Sequence, residues 1–395
     1  MTMIKRLCIK GRYELKHELI KFVRYILMNI FYFFAIQKNK IVLINFNGKG
    51  YGCNPKYIAQ EILKRGLEYD VVWFVKDMNE EFPIGIRKVL IGRIKAMYEV
   101  ATAKIIITNV KNDLHLLKKR GQYIIQTWHG SYSSKFLEKE AVNTLSPNYI
   151  SESQKNSKQT NLFLSNSRIL SKCYRESFWC DCEIMECGFP RNDMLFVKNS
   201  DEEIKRIKRT LGLNDEDKIV MYAPTFRDNG NTKAYGIDCS GVLETLEKLG
   251  GNWYLLIRMH PNVSKTKYLF DFNEKIINVS DYTDMQELLL VSDILITDYS
   301  STVFEFSAMN KPTYIFATDI EEYQQMRGLK EDFFDMPFPI CINNRELLET
   351  LNEYTVESGK DAAVQFMKIF GGVDNGTASQ QVVDRIIAVI KQKVI

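Results

Sequence analysis

Two of the four histidines lie directly after stretches that are typical of buried β-strands. His129 follows the apolar residues 123–127, and His260 follows residues 254–258. Because ligands of open α/β sheets bind beyond the carboxyl ends of the strands, both side chains are predicted to lie on the ligand side. An imidazole titrates near neutral pH and can take a proton from an attacking hydroxyl group. A single histidine in such a place is commonly structural, but two of them favour a catalytic role for at least one.

A hydroxyl-rich turn follows a further predicted strand, within residues 292–307. The apolar residues 294–296 predict a short buried strand, and residues 303–309 have the apolar content of a helix packed on a sheet. Ser300 and Ser301 lie between the two, where hydroxyl groups and the free N–H groups of a first helical turn favour an anion. The alternative is that Ser300 or Ser301 only caps the helix.

Three arginines are candidates for binding phosphate: Arg191, Arg227 and Arg258. Arg227 and Arg258 each come close behind a predicted strand, and a guanidinium group binds phosphate in a bidentate geometry that lysine lacks. Each arginine alone is as well explained by a surface salt bridge. Together with the hydroxyl groups of residues 300–302, the three predict a pocket for a pyrophosphate.

Several classes of site are disfavoured by what the chain lacks. No GxGxxG motif follows a strand and no GxxxxGK[ST] motif is present, so dinucleotide and P-loop sites are not expected. The eight cysteines are scattered, and the spacing of Cys180, Cys182 and Cys187 matches no paired zinc pattern. The sequence therefore predicts no metal and no cofactor, and reduced cysteines in a cytoplasmic protein. Beyond residue 40 the chain is slightly acidic, which argues against nucleic-acid binding.

Beyond residue 40 the chain alternates short apolar stretches with helical ones, and this alternation restarts after residue 217. The apolar stretches that predict strands are 41–45, 71–75, 105–108, 123–127, 162–165, 219–222, 254–258, 276–279, 294–297 and 313–316. Such a pattern predicts an α/β fold of two Rossmann-like domains, with parallel sheets that face a central cleft, plus an N-terminal amphipathic helix. The predicted segments are a leader helix at 1–38, an N-terminal domain at 39–200, a C-terminal domain at 201–377 and a terminal helix at 378–395 that packs at the domain boundary.

The leader is basic and aromatic. Residues 1–40 contain nine lysines and arginines against two glutamates, and residues 22–36 are apolar and aromatic apart from Arg24 and Asn29. This run is shorter than the ~20 apolar residues that span a bilayer. The leader therefore predicts peripheral docking on an anionic membrane surface, at the cytoplasmic face. The alternative is a helix buried at the edge of the domain.

Four ordered motifs resemble those of a known family. They are QTWHG at 126–130, YAPTFRD at 222–228, RMHP at 258–261 and the longer DYTDMQELLLVSDILITDYSSTVFEF at 281–306. In these motifs, and over residues 40–390 as a whole, the chain resembles the CDP-glycerol glycerophosphotransferases, the teichoic-acid primases and polymerases with a GT-B fold. The resemblance implies transfer of a polyol phosphate, with glycerol phosphate favoured, from a CDP-activated donor to a hydroxyl group of a lipid-linked or polymer acceptor. CMP is released, and the product is a teichoic-acid-like or capsule polymer of the cell surface.

The resemblance also implies that the domain at 39–200 lies on the acceptor side and that the domain at 201–377 binds the CDP-activated donor, and it implies roles for particular residues. His129 is expected to be the general base, while His260 and Arg258 stabilise the donor pyrophosphate. Ser300 and Ser301 are expected to hold phosphate oxygens, and Glu305 to reach the nucleoside end of the donor. The other residues expected to contact the substrate lie in or near the same motifs: Gly130, Ser131, Arg191, Thr225, Phe226, Arg227, Met259, Asp298 and Thr302.

One departure from the family pattern leaves the acceptor open. After the histidine–glycine pair the family continues with Thr-Pro and then basic residues, whereas this chain has Ser-Tyr-Ser-Ser-Lys at 131–135. The acceptor and the choice between CDP-glycerol and CDP-ribitol therefore stay open. The sequence also leaves open the primase or polymerase role and the oligomeric state. Two other classes also remain: a GT-B glycosyltransferase that uses a nucleotide sugar, and a non-catalytic, membrane-associated binding module.

Overall fold

The computed structural model describes residues 23, 26, 27, 29–111, 118–132, 135–196, 201–260, 263, 269–353 and 355–392. Most of the predicted leader helix therefore lies outside the described residues. Within the described part of the chain, no helix is both long and apolar enough to cross a lipid bilayer.

The strands in the first half of the chain form a seven-stranded parallel sheet. Its strands lie in the order β3-β2-β1-β4-β5-β6-β7. Their bounds are β1 Gln37–Ile44, β2 Asp70–Val75, β3 Ile86–Leu90, β4 Ala103–Thr108, β5 Tyr123–Gln126, β6 Leu162–Ser165 and β7 Glu183–Glu186.

A six-stranded sheet contains the second half, in the order β10-β9-β8-β11-β12-β13. Its bounds are β8 Lys218–Ala223, β9 Trp253–Ile257, β10 Ile276–Asn278, β11 Ile294–Thr297, β12 Thr313–Phe316 and β13 Ile340–Cys341. The pairings in this sheet are parallel too. Two parallel sheets with intervening helices confirm the predicted α/β fold.

The helices that connect these strands are mostly one to four turns long. Their bounds are α1 Cys53–Lys64, α2 Ile94–Thr102, α3 Pro147–Gln159, α4 Arg168–Glu176, α5 Asp201–Thr210, α6 Cys239–Lys248, α7 Met285–Val291, α8 Thr302–Ser307, α9 Ile320–Arg327, α10 Asn344–Asn352, α11 Val356–Phe370 and α12 Ala378–Lys391. A 3₁₀ helix at Pro190–Phe196 leads into the second sheet.

The strands formed where the sequence is continuously apolar, because a parallel sheet is covered on both faces. In β1 the residues from Ile41 to Ile44 are fully buried, as are Ile294, Leu295 and Ile296 of β11. The strands β6, β11 and β12 have the bounds that the sequence predicts. By contrast, β3, β7 and β13 were missed, because they are short edge strands with mixed or polar residues and carry no apolar run.

The described residues form two compact units. The first contains residues up to Trp128, residues 151–163 and residues from Val383 onward, and the second contains residues 129–150 and 164–382. The predicted domain limits at residues 38, 200 and 377 stay predictions. His129 and the whole second sheet belong to the second unit, which holds every predicted site residue.

Candidate active site

The chain leaves β5 through a strained turn just before His129. Trp128 has a φ of +54°, a left-handed conformation that a bulky residue rarely adopts. Its N–H donates to Gln126 Oε1 at 3.0 Å, and its carbonyl accepts from Asn54 Nδ2 at 3.0 Å. Strain of this kind is held only where surrounding contacts enforce it, and it is concentrated at functional sites. Residues 129–132, which we call the His129 loop, follow this turn directly in the chain.

Arg191 holds the backbone of the His129 loop. Its side chain is 9% exposed, and Nη1 donates to the carbonyl of His129 at 2.8 Å. Its Nη2 forms a salt bridge with Glu305, whose side chain is 3% exposed. Arg191 is therefore engaged by the protein, at the histidine backbone on one side and at a buried carboxylate on the other.

Glu305 is the other half of this arrangement, and both of its carboxylate oxygens are used. Oε1 pairs with Arg191, and Oε2 accepts from Gln286 Nε2 at 2.7 Å. The hydroxyl of Ser131 also hydrogen-bonds to this carboxylate. Burial raises the pKa of Glu305, and the guanidinium of Arg191 opposes that rise. These contacts are with the protein, so they do not support the expected contact with a nucleoside.

Gly130 lies against the hydroxyl-rich turn. A Cβ atom added at Gly130 would lie 3.0 Å from Ser301 Oγ, closer than side chains normally pack. In that turn, Ser300 Oγ and Thr302 Oγ1 are 2.9 Å apart, and Ser300 Oγ accepts from the N–H of Thr302 at 3.3 Å. Ser301 precedes α8 without a side-chain capping bond, so the structure does not use it as a cap. The fold thus places Ser301 beside the histidine loop.

Arg227 has partners other than the phosphate that the sequence predicted for it. Its side chain is 1% exposed and forms salt bridges with Asp298 at 2.8 Å and with Asp319 at 2.6 Å. It also lies over the rings of Tyr299 and Tyr323. Burial would lower the pKa of Arg227, but the two carboxylates raise it above its ordinary value. Arg227 and Asp298 together form a buried ionic cluster, which favours a structural role for both.

The residues around His260 divide between core and surface. Met259 is buried in the hydrophobic core, and its N–H donates to Ser280 Oγ at 3.1 Å. Arg258 Nη1 donates to the carbonyls of Val279 and Tyr282, and burial lowers its pKa. His260 itself is exposed, with its ring centroid 5.6 Å from that of Phe226.

Thr225 offers a hydroxyl group that the fold leaves unused. Its N–H donates to Asp298 Oδ1 at 2.8 Å, whereas its Oγ1 is enclosed and has no hydrogen-bond partner among the described residues. An enclosed polar atom of this kind is costly unless a bound group satisfies it. The part of the chain that the structure describes contains no cluster of three or more His, Cys, Asp and Glu side chains able to hold a metal ion.

The structure therefore brings some predicted site residues together and assigns others to the core. One group surrounds the histidine loop: His129, Gly130, Ser131, Arg191, Ser301 and Glu305. A second group pairs Phe226 with His260, and Arg227, Asp298 and Met259 belong to the interior. That His129 and His260 serve one shared crevice stays a prediction.

Sequence reasoning missed four polar residues that support the first group: Asn166, Asn192, Gln286 and Asp374. Asn166 directly follows the end of β6, which is the position that singled out the two histidines. The same rule would have found it. Asp374 lies in a loop far from any strand end, and no local signal in the sequence marks it.

Comparisons with known proteins show which family the chain belongs to. Residues 26–388 match the family model described as CDP-Glycerol:Poly(glycerophosphate) glycerophosphotransferase. The chain is 32% identical over 372 residues to the teichoic acid poly(glycerol phosphate) polymerase of Staphylococcus epidermidis, covering 91% of this chain and 52% of that protein. It is 31% identical over 360 residues to the enzyme of the same description from Bacillus spizizenii, covering 88% of this chain and 91% of that protein.

Among solved structures, the wall teichoic acid polymerase TagF has a similar fold. One TagF variant superposes with a TM-score of 0.83 at 29% sequence identity, covering 96% of this chain and 98% of that one. This match confirms the predicted GT-B-like architecture. The chain spans about half the length of the first of the two curated relatives and nearly all of the second.

We predict that Arg227→Met destabilises the protein by about 3–5 kcal/mol, because it leaves the carboxylates of Asp298 and Asp319 buried without their cation. The free energy of unfolding, from urea titration followed by circular dichroism, measures the effect. Arg327→Met is the matched control, since the Arg327–Asp228 salt bridge is about half exposed at both ends. The control should cost less than about 1 kcal/mol. Equal stability of the two variants would contradict a structural role for Arg227.

Proposed function

Because the chain belongs to the CDP-glycerol:poly(glycerophosphate) glycerophosphotransferase family, we propose that it transfers glycerol phosphate from CDP-glycerol to a hydroxyl group of a lipid-linked polymer. The acceptor oxygen attacks the phosphorus that carries glycerol, the bond from that phosphorus to the bridging oxygen breaks, and CMP leaves. The proton of the acceptor hydroxyl passes to the imidazole of His129. The product is a cell-surface polymer of the teichoic-acid type.

The observation that carries this proposal is the fixed position of the His129 loop. Phosphoryl transfer depends on placing the attacking oxygen in line and on neutralising charge, and little covalent chemistry falls to the protein. A general base must stay within hydrogen-bond reach of the proton that it removes. In this chain a strained turn precedes the histidine, Arg191 binds its carbonyl, and Ser131 is tied to Glu305. Such a loop supports a base that is positioned before the substrate arrives.

The donor side of the proposal uses the second group of residues. His260 is exposed, and Arg258 supplies a cation beside it in the sequence. The hydroxyl groups of Ser300 and Ser301 receive the phosphate oxygens, and the unused hydroxyl of Thr225 supplies a further donor. Phe226 lies beside His260 and adds an apolar wall to the donor pocket. Arg191 and Glu305 are assigned to the support of the histidine loop, and no longer to the donor.

A panel of donors tests the reaction class. The purified chain is incubated with a lipid-linked glycerol phosphate acceptor and, separately, with CDP-glycerol, CDP-ribitol and UDP-hexoses, and nucleotide release is followed by chromatography. We expect CMP from CDP-glycerol and at least about tenfold less nucleotide from the others. Release of UDP would identify a nucleotide-sugar glycosyltransferase, and CMP from CDP-ribitol alone a ribitol-phosphate transferase. No release from any donor would support a binding module.

We predict that His129→Ala lowers kcat at least about a hundredfold while leaving the Kd for CDP-glycerol within about threefold of the wild type. A general base contributes about 10²–10⁴-fold to rate and little to donor affinity. His260→Ala is the matched comparison, because it removes the same imidazole from the donor side and is expected to weaken donor binding. Calorimetric titration and CMP release give the two quantities. Near-normal CMP release by His129→Ala would overturn the assignment of the base.

The proposed site of action is the cytoplasmic face of a membrane, where a lipid-linked acceptor is met. Exposed apolar side chains near the end of the basic leader support this location. Phe33 is 87% exposed, and Ile26, Ile30 and Phe34 are also exposed. Two exposed lysines lie nearby: Lys38 follows this segment in the sequence, and Lys158 lines the same cavity as Asn29 and Tyr32. An apolar surface with adjacent cations is typical of docking on anionic lipid.

We predict that the double substitution Ile30→Ser and Phe33→Ser weakens partitioning onto anionic phosphatidylglycerol vesicles at least about tenfold. Each side chain loses about 1.5–3 kcal/mol of burial on leaving the lipid, and 1.4 kcal/mol corresponds to a factor of ten. Sedimentation with vesicles measures the partition. Ile84→Ser is the control, because Ile84 is 99% exposed and belongs to a different segment. Equal partitioning of the double variant and the wild type would exclude this surface as the docking site.

A further inference from the structure

Asp374 is a carboxylate to which neither the motifs nor the proposed function gives a role, although several hydrogen bonds converge on it. Its Oδ1 accepts from the N–H of Phe189 at 2.7 Å. Its Oδ2 accepts from Nδ2 of Asn166 at 2.8 Å and from Nδ2 of Asn192 at 3.1 Å. A Cβ atom added at Gly188 would lie 2.8 Å from Oδ1, so only glycine allows this approach. Two segments that are distant in sequence therefore meet at one side chain.

The first arm of this arrangement leads to the residue two places after His129. Asn166 Nδ2 donates both to Asp374 and to Ser131 Oγ, the latter at 2.8 Å. The backbone repeats the connection, because the N–H of Val373 donates to the carbonyl of Asn166 at 2.9 Å. Asn166 is 4% exposed and Ser131 is 3% exposed. Asp374 thus sets the orientation of an amide that in turn holds the histidine loop.

The second arm leads to the backbone of His129 itself. Asp374 binds the segment 189–192 at its first residue and its last, and Arg191 lies between these two contacts. From this segment the guanidinium of Arg191 reaches the carbonyl of His129. A shift of the segment would move the guanidinium with it. Both arms therefore end within two residues of the imidazole.

A reciprocal contact strengthens the connection between residues 189–193 and residues 374–379. While Asp374 accepts from the segment 189–192, Asp193 accepts from the N–H groups of Ala378 and Ser379 at 2.9 and 2.7 Å. Each of the two segments thus contributes one carboxylate that binds N–H groups of the other. Hydrogen bonds to an ionised acceptor are roughly twice as strong as neutral ones. The crossed pair holds the two segments at a fixed separation.

We propose that Asp374 is a positioning residue for the reaction, and that its carboxylate sets the place of His129 through Asn166 and Ser131 on one side and through Arg191 on the other. This inference rests on the proposed role of His129. It extends that role by naming a residue 245 positions away in the sequence that controls it. A misplacement of about 1 Å in a catalytic group can cost about a hundredfold in rate.

The protonation state of Asp374 gives the proposal a distinct signature. Burial raises its pKa to about 6, the three N–H donors oppose that rise, and the negative charge of Glu305 adds to it. The charged groups in the surrounding elements are Glu305, Arg191 and Asp193. Above pH 6 the ionised carboxylate of Asp374 accepts all three hydrogen bonds. Below pH 6 the carboxyl group carries a proton, which lies against N–H donors and weakens these hydrogen bonds. Positioning should therefore weaken as the pH falls through 6.

The variants are Asp374→Asn, which keeps the shape but presents an N–H₂ group to donors, and Asn166→Ala, which removes the first arm. Asp217→Asn is the matched control. Asp217 is also buried and accepts from one backbone N–H, that of Asn214, and from one asparagine amide, that of Asn252. It lies outside the site, so its substitution should leave both readouts at the wild-type level.

The first readout is hydrogen exchange of the full-length chain, followed by mass spectrometry. In Asp374→Asn we expect exchange about tenfold or more faster in peptides that cover 129–132 and 188–192, and no change there in the control. In Asn166→Ala the increase should be confined to 129–132. This measurement does not depend on turnover, so it decides the inference even if CDP-glycerol proves not to be the donor. Unchanged exchange in both peptides would overturn it.

The second readout is kcat for CMP release. It is divided by the number of donor-binding sites that calorimetric titration counts, so that unfolded protein does not lower the value. We expect Asp374→Asn to lower this kcat about 10–100-fold at pH 8 with the Kd for CDP-glycerol within about threefold. The ratio of wild-type to variant kcat should shrink towards one at pH 5, because the wild-type carboxyl is then protonated. Equal kcat at pH 8, or a ratio that does not change with pH, would contradict the proposal while leaving the function of the wild type intact.

Discussion

The candidate active site depends on the two contacts that the guanidinium group of Arg191 makes. This group binds a backbone carbonyl at His129 and a buried carboxylate at Glu305, and so connects the loop after β5 with the helix α8 after β11. Removing one partner of a buried ion pair leaves an uncompensated charge and costs about 3–5 kcal/mol. The pair therefore constrains the loop strongly. A histidine whose backbone is held in this way does not need the substrate to organise it.

The same unit contains a second buried arginine with a different task. Arg227 is enclosed by Asp298 and Asp319 and lies over tyrosine rings, and none of these contacts involves the histidine loop. Its cluster joins the loop after β8, the turn after β11 and the start of α9. The hydroxyl-rich turn of Ser300 and Ser301 begins directly after Asp298, so the cluster holds the start of this turn in place. One arginine thus supports the loop of the proposed base, and the other supports the predicted phosphate site.

The position of these groups follows from the topology of the sheets. In a parallel sheet the carboxyl ends of all strands lie at one edge, and the polar loops that follow them come together there. In the first sheet His129 follows β5, and in the second sheet Thr225 and Arg227 follow β8, His260 follows β9 and Ser300 follows β11. Asn166, after β6, obeys the same rule. The supporting residues Asn192 and Asp374 come from other segments and are linked to the His129 loop through hydrogen bonds.

The sequence alone determined the class of fold and the places where chemistry could occur. Apolar runs long enough to be covered on both faces identified ten of the thirteen strands in the described part of the chain, and the polar residues just beyond them identified the histidines and the serine turn. These signals are local, since a few neighbouring residues carry each of them. Short edge strands such as β3 and β13 carry no such signal, and their positions were not predicted.

Only the tertiary structure decided which side chains pair. Arg191 and Glu305 are 114 residues apart, Arg227 and Asp319 are 92 apart, and Phe189 and Asp374 are 185 apart. An arginine that binds phosphate and one that neutralises a buried carboxylate look alike in a sequence, because the difference lies in what the fold brings against them. For that reason the sequence named Arg191, Arg227 and Glu305 as groups that contact the substrate, while the structure surrounds them with protein partners.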